Sequence, residues 1–262
     1  MIRVESATRR YGVLTAVDEV SFAVDQGEIV GFVGPNGAGK STMLKMLSTF
    51  IHPTAGTISI DGLDVVEHPL AVRRRIGYLS GDTPLYQEMR VDKFLRFIAR
   101  ARGLEGDALQ QGLAHAVELC GLEDVLSQRV KECSTGFRQR IGLATAMVHD
   151  PPVLLLDEPT HGFDPLQVLA FRDTLRALSP DRAILFSTHI IGDVEAIADR
   201  VLIIHQGRLL GDGRVEQLAA DAGIPGAGLE AVFAHLVRTT TRLSGSAELT
   251  VEASPKSTPT HV

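Results

Sequence analysis

One short stretch constrains this chain more than any other: Gly34-Pro35-Asn36-Gly37-Ala38-Gly39-Lys40-Ser41-Thr42. It satisfies G-x-x-x-x-G-K-[ST], follows the apolar run Ile29-Val30-Gly31-Phe32-Val33 and precedes Met43-Leu44-Lys45-Met46-Leu47. A buried strand within residues 27–34, a glycine loop and a helix over residues 41–47 are expected in that order. Glycines let the backbone curl until successive N–H groups converge on an anion, and the positive end of the helix adds to that field. Lys40 would then reach the β- and γ-phosphates of a nucleotide, and the Ser41 hydroxyl would ligate Mg²⁺.

Such a loop needs an acidic partner for the metal. Val153-Leu154-Leu155-Leu156-Asp157-Glu158 reads as a buried strand ending in two acids, at the sheet edge where parallel sheets bind ligands. Asp157 is placed to hold Mg²⁺ and Glu158 to polarise an attacking water.

Around these motifs the chain alternates strand and helix. Apolar runs at residues 57–60, 76–79, 152–156, 183–186 and 201–204 read as strands, with helical stretches between them. That alternation predicts an α/β fold with a mostly parallel sheet covered on both faces. Between about 85 and 146 the texture turns helical. Phe94, Leu95, Ile98 and Ala99 form one stripe ending at Gly103; Leu109, Leu113, Ala116, Val117 and Cys120 form another ending at Gly121. This block reads as an insertion. Residues 238–262, rich in Thr, Ser and Pro, read as a disordered tail behind a folded region of residues 1–237.

Composition narrows the class. With 262 residues, 44% hydrophobic, the chain has ample material for a packed core. No apolar run approaches the roughly 18–20 residues of a membrane-spanning helix, and no signal-like core opens the sequence. Two cysteines, Cys120 and Cys133, fit a reducing compartment, so a soluble cytosolic protein is expected. A net charge of −6 argues against a nucleic-acid partner. There is no N-K-x-D, no G-x-S-x-G and no zinc-type cluster.

Together the motifs resemble those of the ATP-binding-cassette ATPases, the nucleotide-binding subunits of ABC transporters, in order from about residue 2 to 210. Cys133-Ser134-Thr135-Gly136-Phe137-Arg138-Gln139-Arg140 is similar to the family's L-S-G-G-Q signature, which closes over the γ-phosphate held by another subunit. The resemblance therefore implies roles for Ser134 and Gly136. Tyr11 is placed like the family's adenine-stacking aromatic. Asp164, in Gly162-Phe163-Asp164-Pro165, resembles the acid of the loop linking two active sites, and His189 resembles the histidine that bonds the γ-phosphate.

The resemblance also implies a P-loop NTPase core, an N-terminal antiparallel β subdomain and an inserted α-helical subdomain. ATP and Mg²⁺ are the expected cofactors. An integral membrane permease and a second copy or homologue are the expected partners, at the cytoplasmic face of a membrane. One departure stands out. Gly81, in Leu79-Ser80-Gly81-Asp82-Thr83, occupies the position of a glutamine that couples the site to the membrane subunit, and Asp82, backbone or water would have to replace it. The run 80–86 is similar to the sodium-efflux and drug-export branch, so export is expected. An ATP-gated clamp with slow hydrolysis is the alternative that Gly81 leaves open.

Overall fold

A computed structural model describes residues 1–81 and 84–248, the side chains from 241 onward excepted. Asp82 therefore lies outside the described residues. The chain divides into two compact units, the first Met1–Arg214 and the second beginning at Val215.

The first unit runs β1 (Ile2–Tyr11), β2 (Leu14–Val24), β3 (Ile29–Val33), α1 (Lys40–Leu47), β4 (Ala55–Ile60), β5 (Leu63–Asp64), α2 (Pro69–Arg75) and β6 (Ile76–Leu79). Three helices follow: α3 (Val91–Ala101), α4 (Gly106–Cys120) and α5 (Thr135–Met147). The unit ends with β7 (Val153–Asp157), α6 (Pro165–Leu178), β8 (Ala183–Thr188), α7 (Ile191–Ile197), β9 (Arg200–His205) and β10 (Arg208–Gly213).

The strands form two sheets. β2-β1-β4-β5 is antiparallel throughout, and β10-β9-β3-β8-β7-β6 is parallel except where β10 pairs with β9. This is the expected P-loop core with its N-terminal antiparallel subdomain. β3, β7 and β8 are buried at every position, as strands covered on both faces must be. The N-terminal sheet is less regular. β1 alternates buried and exposed from Ile2 to Val4, then shifts register before Ala7, with Ser6 at φ 46°. That bulge breaks the period-two pattern a sequence reading depends on.

The two sheets share one core. Phe22 of the antiparallel sheet meets Phe32 of β3 with ring centroids 6.0 Å apart, and Met43, Leu44 and Leu47 of α1 are buried in the same cluster. Each such side chain contributes roughly 1.5–3 kcal/mol by leaving water. The result is a rigid seat for the glycine loop between β3 and α1.

The helical insertion forms as expected. α3 buries Phe94, Leu95 and Ala99, and α5 buries Ile141, Ala144 and Met147. Gly121 ends α4 with φ 57°, a left-handed cap that glycine adopts without steric cost. Both cysteines are free and buried, and burial pushes the Cys120 thiol up to about 12.

The first compact unit closes at Arg214, just after β10, where the expected folded region ran on to residue 237. The second unit holds α8 (Val215–Asp221) and α9 (Leu229–Glu248), and α9 continues well past Arg238 into the stretch expected to be disordered. Within this helix Thr239 and Thr240 turn their hydroxyls back onto the carbonyls of His235 and Leu236, both at 2.9 Å. The remainder of that stretch, residues 249–262, lies outside the described residues.

Candidate functional site

Strand register assembles the site. β3 pairs with β8 through Val33↔Thr188, and β8 pairs with β7 through Asp157↔Ser187. Three parallel strands thus end together, releasing the glycine loop, the Asp157-Glu158 pair and His189 at one edge.

In the loop, Gly34 is required by space, and Gly39 by both space and conformation. A Cβ on Gly34 would stand 2.3 Å from the Ile204 carbonyl oxygen; one on Gly39, at φ 110°, would stand 2.5 Å from that of Ala16. Pro35, Asn36, Gly37 and Ala38 complete the turn, with the Ala38 N–H donating to the Pro35 carbonyl at 3.1 Å. Gly39 is the N-cap of α1 and has no side chain to satisfy the helix's first N–H groups. Those donors, with Ser41 and Thr42 in the same turn, face an anion-binding position.

Lys40 lies beneath the loop, only 6% exposed, and donates Nζ to the carbonyls of Gly34 at 2.6 Å and Pro35 at 3.1 Å. Burial lowers its pKa, while the carboxylates of Glu158 and Asp157 raise it. Asp157 is 5% exposed and accepts from the Ser41 hydroxyl at 3.2 Å and from Ser187. Next to it, the Glu158 carboxylate lies 3.0 Å from His189 Nδ1 through either oxygen. Lys40, Ser41, Asp157, Glu158 and His189 are therefore one linked constellation.

The other expected residues form a second group. Ser134 caps α5, accepting the Phe137 N–H at 3.2 Å, and Asp164 caps α6, accepting the Gln167 N–H at 2.9 Å. These meet inside the chain. A Cβ on Gly136 would stand 3.0 Å from Gln167 Oε1, and one on Gly162 would stand 2.9 Å from Thr135. Tyr11 sits half-exposed at the tip of the β1–β2 hairpin, its ring 4.6 Å beneath the Arg9 guanidinium. β2 carries that hairpin past the loop, since Ala16 abuts Gly39.

Some groups escaped sequence reasoning. Ser187 was visible only as the close of an apolar run, yet its hydroxyl faces Asp157. Thr160 donates to Asp193 at 2.5 Å, tying the turn after Glu158 to α7, and both side chains are buried. For Ser187 and Thr160, a polar residue at or just past the end of a buried strand was the available signal. Gly81 has no steric need to be glycine: a Cβ there would meet the Asp157 carbonyl at an ordinary 3.6 Å.

Known proteins show the family to which the chain belongs. The family model for ABC transporters matches residues 17–161. The ABC transporter ATP-binding protein NatA of Bacillus subtilis is 38% identical over 224 residues, 83% of this chain and 91% of NatA. The Nod factor export ATP-binding protein I of Burkholderia orbicola is 38% identical over 206 residues, 78% of this chain and 68% of that protein. A solved ATP-binding subunit of an ABC transporter aligns with a TM-score of 0.83 at 31% identity, over 90% of this chain and 99% of that one. The phosphate loop, the paired acids and the histidine thus belong to a member of the ABC transporter family, an ATP-binding and ATP-hydrolysing subunit.

Proposed function

We propose that this subunit works as one half of a head-to-tail pair that closes on ATP and powers export through a separate membrane permease. The observation that carries this reading is the linked set of Lys40, Ser41, Asp157, Glu158 and His189 at one sheet edge.

In that reading the loop N–H groups and Lys40 bind the β- and γ-phosphates, and Tyr11 stacks on adenine. Mg²⁺ fits the residues present, since Ser41 and Asp157 offer hard oxygen donors already within bonding distance of each other. When bound, the ion would neutralise charge on the phosphate oxygens. Glu158 takes the proton of the attacking water while His189 holds its carboxylate in place and lies within reach of the γ-phosphate. Ser134 and Gly136, at the N-terminus of α5, meet the γ-phosphate bound by the other subunit, and Asp164 joins the two sites. The second subunit is another copy or a homologue.

Among the described residues no helix is long and apolar enough to cross a membrane, which suits a peripheral subunit at the cytoplasmic face. A cleft of about 760 Å³ is bordered by Tyr78 and Pro84 on either side of Gly81, with Leu70, Phe94 and Arg102 in its walls. Exposed Phe50, 77% accessible, stands on its rim. We assign this cleft to the permease, because the family resemblance implies that the segment at Gly81 couples to the membrane subunit. Export follows the Nod factor relative.

Reconstitution with the permease in vesicles tests the proposal. Stimulated phosphate release and ATP-dependent outward movement of cargo are expected. Hydrolysis indifferent to the permease, with no movement, would favour the ATP-gated clamp that Gly81 suggests.

A further inference from the structure

Glu158 stands at φ 51°, in the left-handed region. A residue with a bulky side chain keeps that conformation only where its surroundings impose it. Three hydrogen bonds do so. The Glu158 N–H donates to the Ser187 carbonyl at 3.0 Å, and its carbonyl accepts the His161 N–H at 3.2 Å. The third bond has a distant origin: Gln139 Nε2 donates to the same carbonyl at 3.2 Å. Gln139 lies on α5, the helix whose start carries Ser134 and Gly136.

We infer that Gln139 is a positioning residue for hydrolysis, holding the peptide after Glu158 in its left-handed turn and thereby aiming the carboxylate. The inference rests on Glu158 being the base. Reversing the sign of φ swings the Cα–Cβ direction relative to the strand, so the carboxylate could not keep both oxygens at His189. Gln139 itself touches no reacting atom. Its bond makes the direction of the base depend on the seating of α5. The face that meets a neighbouring subunit's nucleotide is then joined, within one chain, to the machinery that hydrolyses this subunit's own. Gln139 and Gln167 have separate jobs here, since Gln167 serves the α6 cap and packs on Gly136.

The test uses the full chain carrying Gln139→Ala, with Gln139→Glu as a second variant of the same length that lacks the donor. Phosphate release should fall roughly tenfold in kcat for both, the loss of one hydrogen bond, while ATP affinity stays within about twofold. In a Glu158→Gln background, Gln139→Ala should change the residual rate by less than about twofold, because there is no base left to aim. The double variant should still form the ATP-dependent dimer on size exclusion, showing α5 intact. Wild-type kcat in both variants, an equal loss in the Glu158→Gln background, or loss of the dimer would overturn the inference. Unchanged turnover in Glu158→Gln alone is a distinct result, which removes the base and the inference with it.

Discussion

His189 sets Nδ1 3.0 Å from both carboxylate oxygens of Glu158, and strand register is the cause. Asp157↔Ser187 is the last pair between β7 and β8, so the chains diverge with these two side chains next to each other. The carboxylate can only accept, so the shared proton sits on Nδ1.

Removing either partner should slow chemistry more than binding. Glu158→Gln is expected to lower kcat by about 10²–10⁴-fold, the usual worth of a positioned general base, with ATP affinity changed only a few fold. His189→Ala should act in the same direction. Phosphate release set against nucleotide titration separates the two quantities; a variant that loses affinity instead would move the pair from chemistry to binding.

The Ser41–Asp157 contact predicts where magnesium dependence resides. Asp157→Asn leaves the Ser187 and Ser41 hydroxyls a neutral acceptor, so folding should survive. The half-saturating Mg²⁺ concentration for hydrolysis should rise at least about tenfold, a loss of one charged hard ligand. Nucleotide binding in EDTA should not move. A magnesium titration unchanged by the substitution would remove Asp157 from the metal site.

Tyr11 offers an exposed ring at the hairpin tip, and stacking on a base is worth about 1–3 kcal/mol. Tyr11→Ala should therefore weaken ATP by about five- to a hundredfold. Inorganic triphosphate, having no base, should bind as before. Equal weakening of both ligands would show damage to the phosphate loop through β2 rather than lost stacking.

Stability should respond to acid through His149. Burial first, then the Arg102 guanidinium, push its pKa from 6.5 down to about 4, with Nε2 3.0 Å from the Ile76 carbonyl. The unfolded chain takes up this proton near pH 6.5 and the folded chain only near 4, so the contribution is whole above 6.5 and is lost as pH falls toward 4. His149→Asn, which cannot titrate, should flatten the fall in melting temperature between about pH 7 and pH 5. The same slope in both proteins would assign that acid sensitivity to another group.

Most of the constellation was legible in the chain because its parts are local. An apolar run, a glycine loop and a helix are neighbours in sequence, and each is specified by period, by punctuation and by the absence of a competing pattern. The paired acids after Val153-Leu154-Leu155-Leu156 and the helical stripes of α3 and α4 were readable for the same reason. Long-range facts were not. The register that sets Ser187 on Asp157, the bond from Gln139 to the Glu158 carbonyl and the left-handed turn it secures all join residues far apart in the chain. The bulge after Val4 erased the alternation of β1, and α9 runs to Glu248 where composition argued against a helix. Local patterns state which residue types stand ready for phosphate chemistry. Where each carboxylate points depends on strand order and on side chains arriving from elsewhere, which no period in the sequence encodes.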